Sequence, residues 1–132
     1  MENKKIKLKH INIKSILPAP GTNNLFNRLK KVESRSMHGQ LPIAWKSAKD
    51  FYVYDISGNK FIDFTSTIFV ANVGHSNNRI KSYIKKTLDK NFLHSYVYIN
   101  KIRADYIEKL IKFAGKGFQK AFLMSSGTEA TE

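Results

Sequence analysis

At 132 residues, with 42% hydrophobic and 12% aromatic side chains, the chain has enough apolar material for a core, which excludes intrinsic disorder. The absence of cysteine excludes disulfides, thiolate metal sites and cysteine nucleophiles, and fits a reducing compartment. A net charge of +13 invites a polyanionic partner, but lysines are scattered along the whole chain and only Arg28, Arg35, Arg79 and Arg103 supply guanidinium, the group suited to bidentate recognition.

A small basic protein that binds nucleic acid or another anion without catalysis is therefore the alternative reading, and specific nucleic-acid recognition is not the first one. In the first 15 residues Ile6, Leu8, Ile11 and Ile13 are interrupted by Lys and His, unlike the continuous apolar core of a secretion signal. No run approaches the roughly 20 apolar residues that span a bilayer, so no membrane partner is expected and the expected location is cytoplasmic.

Residues 1–22 read as a basic arm and loop, closed by Pro18, Pro20 and Gly21. Leu25, Phe26, Leu29 and Val32 then recur at helical spacing behind Asn23 or Asn24 as cap. Residues 37–42 read as irregular, with Gly39 and Pro42 as breakers.

The strongest β signal follows. Phe51, Tyr52, Val53 and Tyr54 face Lys60, Phe61, Ile62, Asp63 and Phe64 across a turn that contains Ser57, Gly58 and Asn59, which predicts a hairpin. A lone hairpin is marginal in water, so packing from Trp45 and the helix around Leu29 is expected.

Residues 65–73 are apolar without pattern and end in a turn at Gly74, His75, Ser76 and Asn77 that can cap a helix. Ile80, Tyr83, Ile84 and Leu88 share one face of that helix. A further helix is expected behind Asn100, with Tyr106, Ile107, Leu110, Ile111 and Ala114 as its apolar stripe and Gly115 and Gly117 as its stop.

Residues 120–124 read as a strand of the kind buried on both faces of a parallel sheet. It breaks into Ser125, Ser126, Gly127 and Thr128, and Ser126 with Glu129 fits a capping box. Two readings are open here. The turn is a capped helix start and nothing more, or its free N–H groups and the helix dipole hold a phosphate, with Gly127 letting the ligand approach the backbone. A parallel sheet needs more βα units than these residues supply, so the chain is expected to be the front piece of a larger α/β enzyme.

Phe51 to Asp55, Gly58 to Phe64, Gly74 with His75, and Ser126 to Glu132 resemble, in order and approximate spacing, the amino-terminal part of class III aminotransferases. Within that family of fold-type I pyridoxal-phosphate enzymes, the similarity is greatest to the ω-amino-acid branch of 4-aminobutyrate and acetylornithine aminotransferases, and it runs from about Met37 onward. The resemblance implies an α/β fold: part of a small domain at residues 23–64, with helix and hairpin, then at 65–132 the start of the large domain's mixed sheet.

It also implies pyridoxal 5'-phosphate as cofactor, an amino-acid donor and a 2-oxo-acid acceptor as substrates, and a homodimer for the full-length protein. By the same resemblance Gly127 and Thr128 are phosphate ligands, with Ser126 a third whose hydroxyl is shared with capping. Ile68 and Phe69 are candidates for the substrate pocket, with plain core packing as the competing role, above all for Phe69.

The family's cofactor-bearing lysine, its pyridine-nitrogen acid and its substrate-binding arginine lie further along than residue 132. No catalytic residue is therefore assigned, and these 132 residues are expected to be inactive alone. Asp55 and Asp63 read as turn and hairpin residues without a partner, His75 as a turn residue, and His10, His38 and His94 as too scattered for a metal site with it. Where many family members have proline shortly after the Gly-His pair, this chain has Asn77 and Asn78, and Asn caps a helix by another mechanism.

Overall fold

A computed structural model describes residues 5–132; the start of the basic arm, 1–4, lies outside the described residues. The chain divides into two compact units, Met1–Lys85 and Lys86–Glu132.

The first unit is built on a five-stranded antiparallel sheet in the order β1-β2-β5-β4-β3. Its centre is the expected hairpin: β4 (Tyr52–Asp55) pairs with β5 (Lys60–Ile62), with Val53 opposite Phe61. Alternation along β4 sends Val53 and Asp55 to the buried face and leaves Tyr52 and Tyr54 half-buried, as a period of two requires.

On one side β3 (Trp45–Lys49) adds to β4, with a register shift between Trp45 and Ser47. Trp45 thus supports the hairpin as a strand residue, by ladder bonds rather than by side-chain packing alone. On the other side the basic arm, read from sequence as an arm and loop, supplies β1 (Ile6–Lys7) and β2 (Asn12–Ile13). β2 reaches β5 through Asn12 opposite Lys60.

What ties the arm down is Asn59, which is fully buried. Its Oδ1 accepts from the Lys14 N–H at 2.6 Å and the Ser15 N–H at 3.1 Å. Its Nδ2 donates to Ser15 Oγ at 2.8 Å and to Asp55 Oδ2 at 2.7 Å. Asp55, also buried, takes the Ser57 and Asn59 N–H groups on Oδ1, both at 2.9 Å. Every polar atom of the Asn59 side chain is satisfied, which is the condition for burying it. Asp55 is therefore the turn residue that the sequence indicated.

Helix α1 (Thr22–Val32) starts one turn earlier than its apolar stripe suggests. Gly21, at φ 90, is its cap, and Asn23 and Asn24 lie inside the helix, which corrects the expected asparagine cap. The left-handed backbone at Gly21 suits a residue without a Cβ. A single turn, α2 (Ser66–Phe69), follows the hairpin, and α3 (Asn78–Leu88) runs from the first unit into the second. Asn77 caps α3, its Oδ1 accepting from the Arg79 N–H at 3.0 Å.

In the second unit α4 (Lys101–Ala114) opens on Asn100, whose side chain accepts from the Arg103 N–H at 2.8 Å, and closes on Gly115 at φ 88, as the sequence indicated. Arg103 donates to the carbonyls of Tyr96 and Tyr98 and so fixes the loop before the helix. Residues 120–124, expected as a strand, form no β-ladder. A strand needs partners for its N–H and C=O groups, and among the described residues none pairs with this segment. The chain ends in the short α5 (Gly127–Thr131).

The buried apolar core is small. Among the described residues only Ile13, Ala19 and Val53 are buried hydrophobics, and α3, α4 and α5 bury no residue.

Candidate functional site

Two of the predicted site segments fall in different units, Ile68 and Phe69 in the first and Ser126, Gly127 and Thr128 in the second.

In the second unit the helix start has the chemistry read from sequence. Ser126 Oγ accepts from the Glu129 N–H at 3.2 Å, and Glu129 Oε2 accepts from the Ser126 N–H at 3.1 Å and the Ser125 N–H at 3.0 Å. That closes the capping box and leaves the next two donors, the N–H groups of Gly127 and Thr128, without a hydrogen-bond partner among the described residues.

Among the described residues nothing requires a glycine at 127. Its φ is not positive, and an added Cβ would meet no atom within 4 Å. Gly127 is the first residue of α5, and without a Cβ it leaves the backbone N–H groups there open to close approach. The exposed N–H groups suit an anion there. Ser126 Oγ accepts in the cap, and its own hydrogen has no acceptor among the described residues.

In the first unit Ile68 and Phe69 stand on a turn of unusual hand. Ser66, Thr67, Ile68 and Phe69 have φ of 47, 54, 57 and 65 degrees, four consecutive non-glycine residues in left-handed backbone. Each such residue costs roughly 1–2 kcal/mol, so the segment needs an external hold. Packing does not provide it: Ile68 is 80% and Phe69 77% exposed.

The hold comes from Asp63, just past the end of β5. Its Oδ1 accepts from the Thr65 N–H at 3.0 Å and the Thr65 hydroxyl at 2.7 Å, and its Oδ2 from the Thr67 N–H at 3.2 Å. His75 Nε2 meets the same Oδ2 at 2.7 Å, with the Asp63 side chain 4% exposed. The Thr65 hydroxyl first, then the His75 contact and the Thr65 N–H, hold the Asp63 carboxyl below its usual range, against an opposing push from desolvation.

His75 is in turn fixed by reciprocal backbone bonds with Asp50, 2.9 and 2.7 Å, and by the edge of Trp45 at 5.7 Å between ring centroids. Asp63 and His75 were each read from sequence as turn residues, and Asp63 as lacking a partner. The structure corrects that by making them each other's partner. The signal was present in the short run that separates the hairpin from the Gly-His turn, but a contact twelve residues apart is not periodic and no pattern announces it.

A cavity of about 300 Å³ is lined by Asp50, Asp63, Ser66, Asn72, Gly74 and His75, among others. A larger apolar groove of about 1220 Å³ lies in the same unit, with Leu25 and Leu29 of α1 and Val53 and Phe61 of the sheet among its walls. Ile68 and Phe69 line neither.

A chain with this capped helix start and this antiparallel hairpin sheet belongs, by sequence, to a defined class of enzyme. Residues 34–132 match the family described as Aminotransferase class-III, and the chain belongs to that pyridoxal-phosphate-dependent family.

The acetylornithine aminotransferase of Lactococcus lactis is 40% identical over 95 residues, covering 72% of this chain and 24% of that protein. That of Methanocaldococcus jannaschii is 34% identical over 104 residues, covering 79% and 26%. Among solved structures, acetylornithine aminotransferase from Elizabethkingia anophelis matches with a TM-score of 0.73 at 27% identity, over 83% of this chain and 28% of that one. The ornithine aminotransferase of Toxoplasma gondii, at 19% identity and a TM-score of 0.75, shows the shared fold alone, over 87% and 26%. The chain spans about a quarter of the length of the curated relatives it matches. The expected fold class is thus borne out, although the mixed sheet of the large domain is not formed by these residues.

Proposed function

We propose that this chain is the amino-terminal, cofactor-gripping portion of an aminotransferase that moves an amino group from an acetylornithine- or ornithine-like ω-amino acid to a 2-oxo acid. The observation that carries the reading is the helix start at Ser126: paired donors of Gly127 and Thr128 left free, beside a glycine that nothing internal requires, in a chain of this family.

Gly127 and Thr128 bind the phosphate of pyridoxal 5'-phosphate through their N–H groups, and Ser126 adds its hydroxyl hydrogen while its oxygen caps the helix. When bound, the cofactor supplies an electrophilic carbonyl and an electron sink for amino transfer. The residues present orient that group and supply no proton shuttle of their own. Ile68 and Phe69 contribute to the substrate pocket. The domain division at 64/65, a homodimeric full-length protein and a cytoplasmic location complete the proposal. Among the described residues no helix is long and apolar enough to cross a membrane.

The test is titration with pyridoxine 5'-phosphate, which lacks the aldehyde and so cannot react with the many lysines of the chain. Gly127→Asp, which places a carboxylate where the phosphate sits, should weaken binding at least about tenfold, or ~1.4 kcal/mol. Equal binding by both forms overturns the assignment. Purified chain with added cofactor should transfer no amino group from ornithine, and turnover would refute the expected inactivity. The alternative, a non-catalytic polyanion binder, is not favoured by the family match. It would require affinity for nucleic acid that falls more steeply with salt than that of a lysine-rich control of equal charge.

A further inference from the structure

We propose that Asp63 is a positioning residue: by accepting hydrogen bonds from Thr65, Thr67 and His75, its carboxylate holds the left-handed turn Ser66–Phe69 and sets where Ile68 is presented to substrate. The second half of that statement rests on the aminotransferase reading, and the first half does not.

The turn has weak support of its own. Its internal bonds are Phe69 N–H to Thr65 O at 2.9 Å, and the Val70 and Ala71 N–H groups sharing Ser66 O at 3.0 and 2.9 Å. Those bonds close a loop, but they do not select its hand. A right-handed turn would make similar bonds without the contact between Cβ and carbonyl that left-handed backbone brings. Nor can burial select it, since Thr67, Ile68 and Phe69 all lie exposed. What distinguishes the observed hand is that it points the Thr67 N–H at the same carboxylate that already accepts from the Thr65 N–H and hydroxyl.

Asp63 can serve as an anchor because it is itself held from behind. Its N–H continues the sheet by donating to Phe51 O at 2.9 Å, and His75 fixes Oδ2. His75 is bonded through its backbone to Asp50, and Ser76 Oγ donates to Ala48 O at 2.9 Å. A continuous line thus runs from the end of β3 through His75 to Asp63 and on to the turn. Moving Asp63 moves the turn; moving the exposed side chains of the turn does not move Asp63. The titratable group that meets Asp63 is His75, and Asp50 approaches through its backbone pairing with His75.

The experiment is NMR on the isotopically labelled 132-residue chain. Positive φ brings each residue's own N–H close to its Hα, so Thr67, Ile68 and Phe69 should give strong intraresidue cross-peaks. Asp63→Ala should abolish them while the cross-strand contact between Val53 and Phe61 persists, and their survival in that variant overturns the proposal. Should Asp63→Ala fail to fold, two further measurements decide. In the unaltered chain the cross-peaks should fade as acid protonates Asp63, with a midpoint below the usual carboxyl range. Thr65→Val, which removes the hydroxyl but keeps the N–H, should shift that midpoint upward. Cross-peaks that stay constant down to pH 2 in a folded sheet overturn the proposal. Pyridoxine 5'-phosphate is titrated into the same samples. Loss of the turn supports the role of Asp63 whether or not the cofactor site binds, and failure of that binding counts only against the assignment of Gly127.

Discussion

Replacing Asn59 by alanine should remove the pin between the amino-terminal arm and the hairpin. Three consequences add up. The bond from Nδ2 to the buried Asp55 carboxylate, 2.7 Å, is charge-assisted, and losing such a bond costs about 1.5–3 kcal/mol. The Lys14 and Ser15 N–H groups lose their acceptor, at about 1 kcal/mol each before water replaces part of it at this half-exposed edge. Discounting the two amides by half, the expected loss is about 2.5–4 kcal/mol. That is a large share of the total of about 5 kcal/mol at the lower end for natural domains.

Trp45, the one tryptophan in the sequence, sits opposite Asp55 in the ladder, so its fluorescence reports on the same network during urea unfolding. With a slope of about 1–2 kcal/mol per molar, the midpoint should fall by roughly 1–4 M or the transition should vanish. Asn59→Asp should be worse, because it sets a second carboxylate against Asp55 in a buried place. A midpoint that moves by less than about 0.5 M in Asn59→Ala would show that the buried network does not hold the arm, and the reasoning would fail.

Thr67→Gly should raise the melting temperature. It removes a left-handed cost of roughly 1–2 kcal/mol at φ 54 and adds back about 0.5–1 kcal/mol of chain flexibility, and a loss above about 1 kcal/mol would contradict the strain assigned there. Gly74→Ala should lose about 2 kcal/mol in urea unfolding, because Gly74 has φ 84 and a Cβ would come within 3.3 Å of Asp50 Cα; an unchanged midpoint would refute the close approach. The Asp63 carboxyl is held below its usual value in the folded chain, so its contribution to stability is complete above the unfolded value of about 3.9 and is lost as pH falls through the folded one. Thermal melts below about pH 4 should therefore show a steeper acid loss for the unaltered chain than for Asp63→Asn, and parallel curves would disprove it. Ser126→Ala should speed hydrogen exchange at the Glu129 N–H, which loses its 3.2 Å acceptor, whereas unchanged exchange would mean that the cap is not formed in solution.

What could be read from the residues was local. The hairpin announces itself through alternation and a Ser57-Gly58-Asn59 turn, and the caps at Asn100 and Ser126 depend on spacings of three residues. β1 and β2 were not legible because each is two residues long and their lysines carry no alternation; they exist through backbone pairing and through Asn59, more than forty residues away. β3 was missed because an edge strand of mostly exposed residues, three of them polar or charged between Trp45 and Lys49, lacks an apolar face to signal it. An asparagine does not cap α1 because Gly21 takes the left-handed backbone that starts the helix two or three residues sooner. The segment at 120–124 failed in the opposite sense, since its apolar run was clear but a strand is a property of two segments. The left-handed turn has no sequence signature at all, because no glycine marks it.

The Asn59 pin also imposes an order of assembly. Lys14 and Ser15 leave the ribosome long before the side chain that will receive them, and that side chain has no fixed direction until the turn from Asp55 has closed. The arm therefore waits, unpaired and cationic, through more than forty residues of synthesis, and it docks only onto a finished hairpin. A segment made more than forty residues before its anchor is thus among the last to find its place.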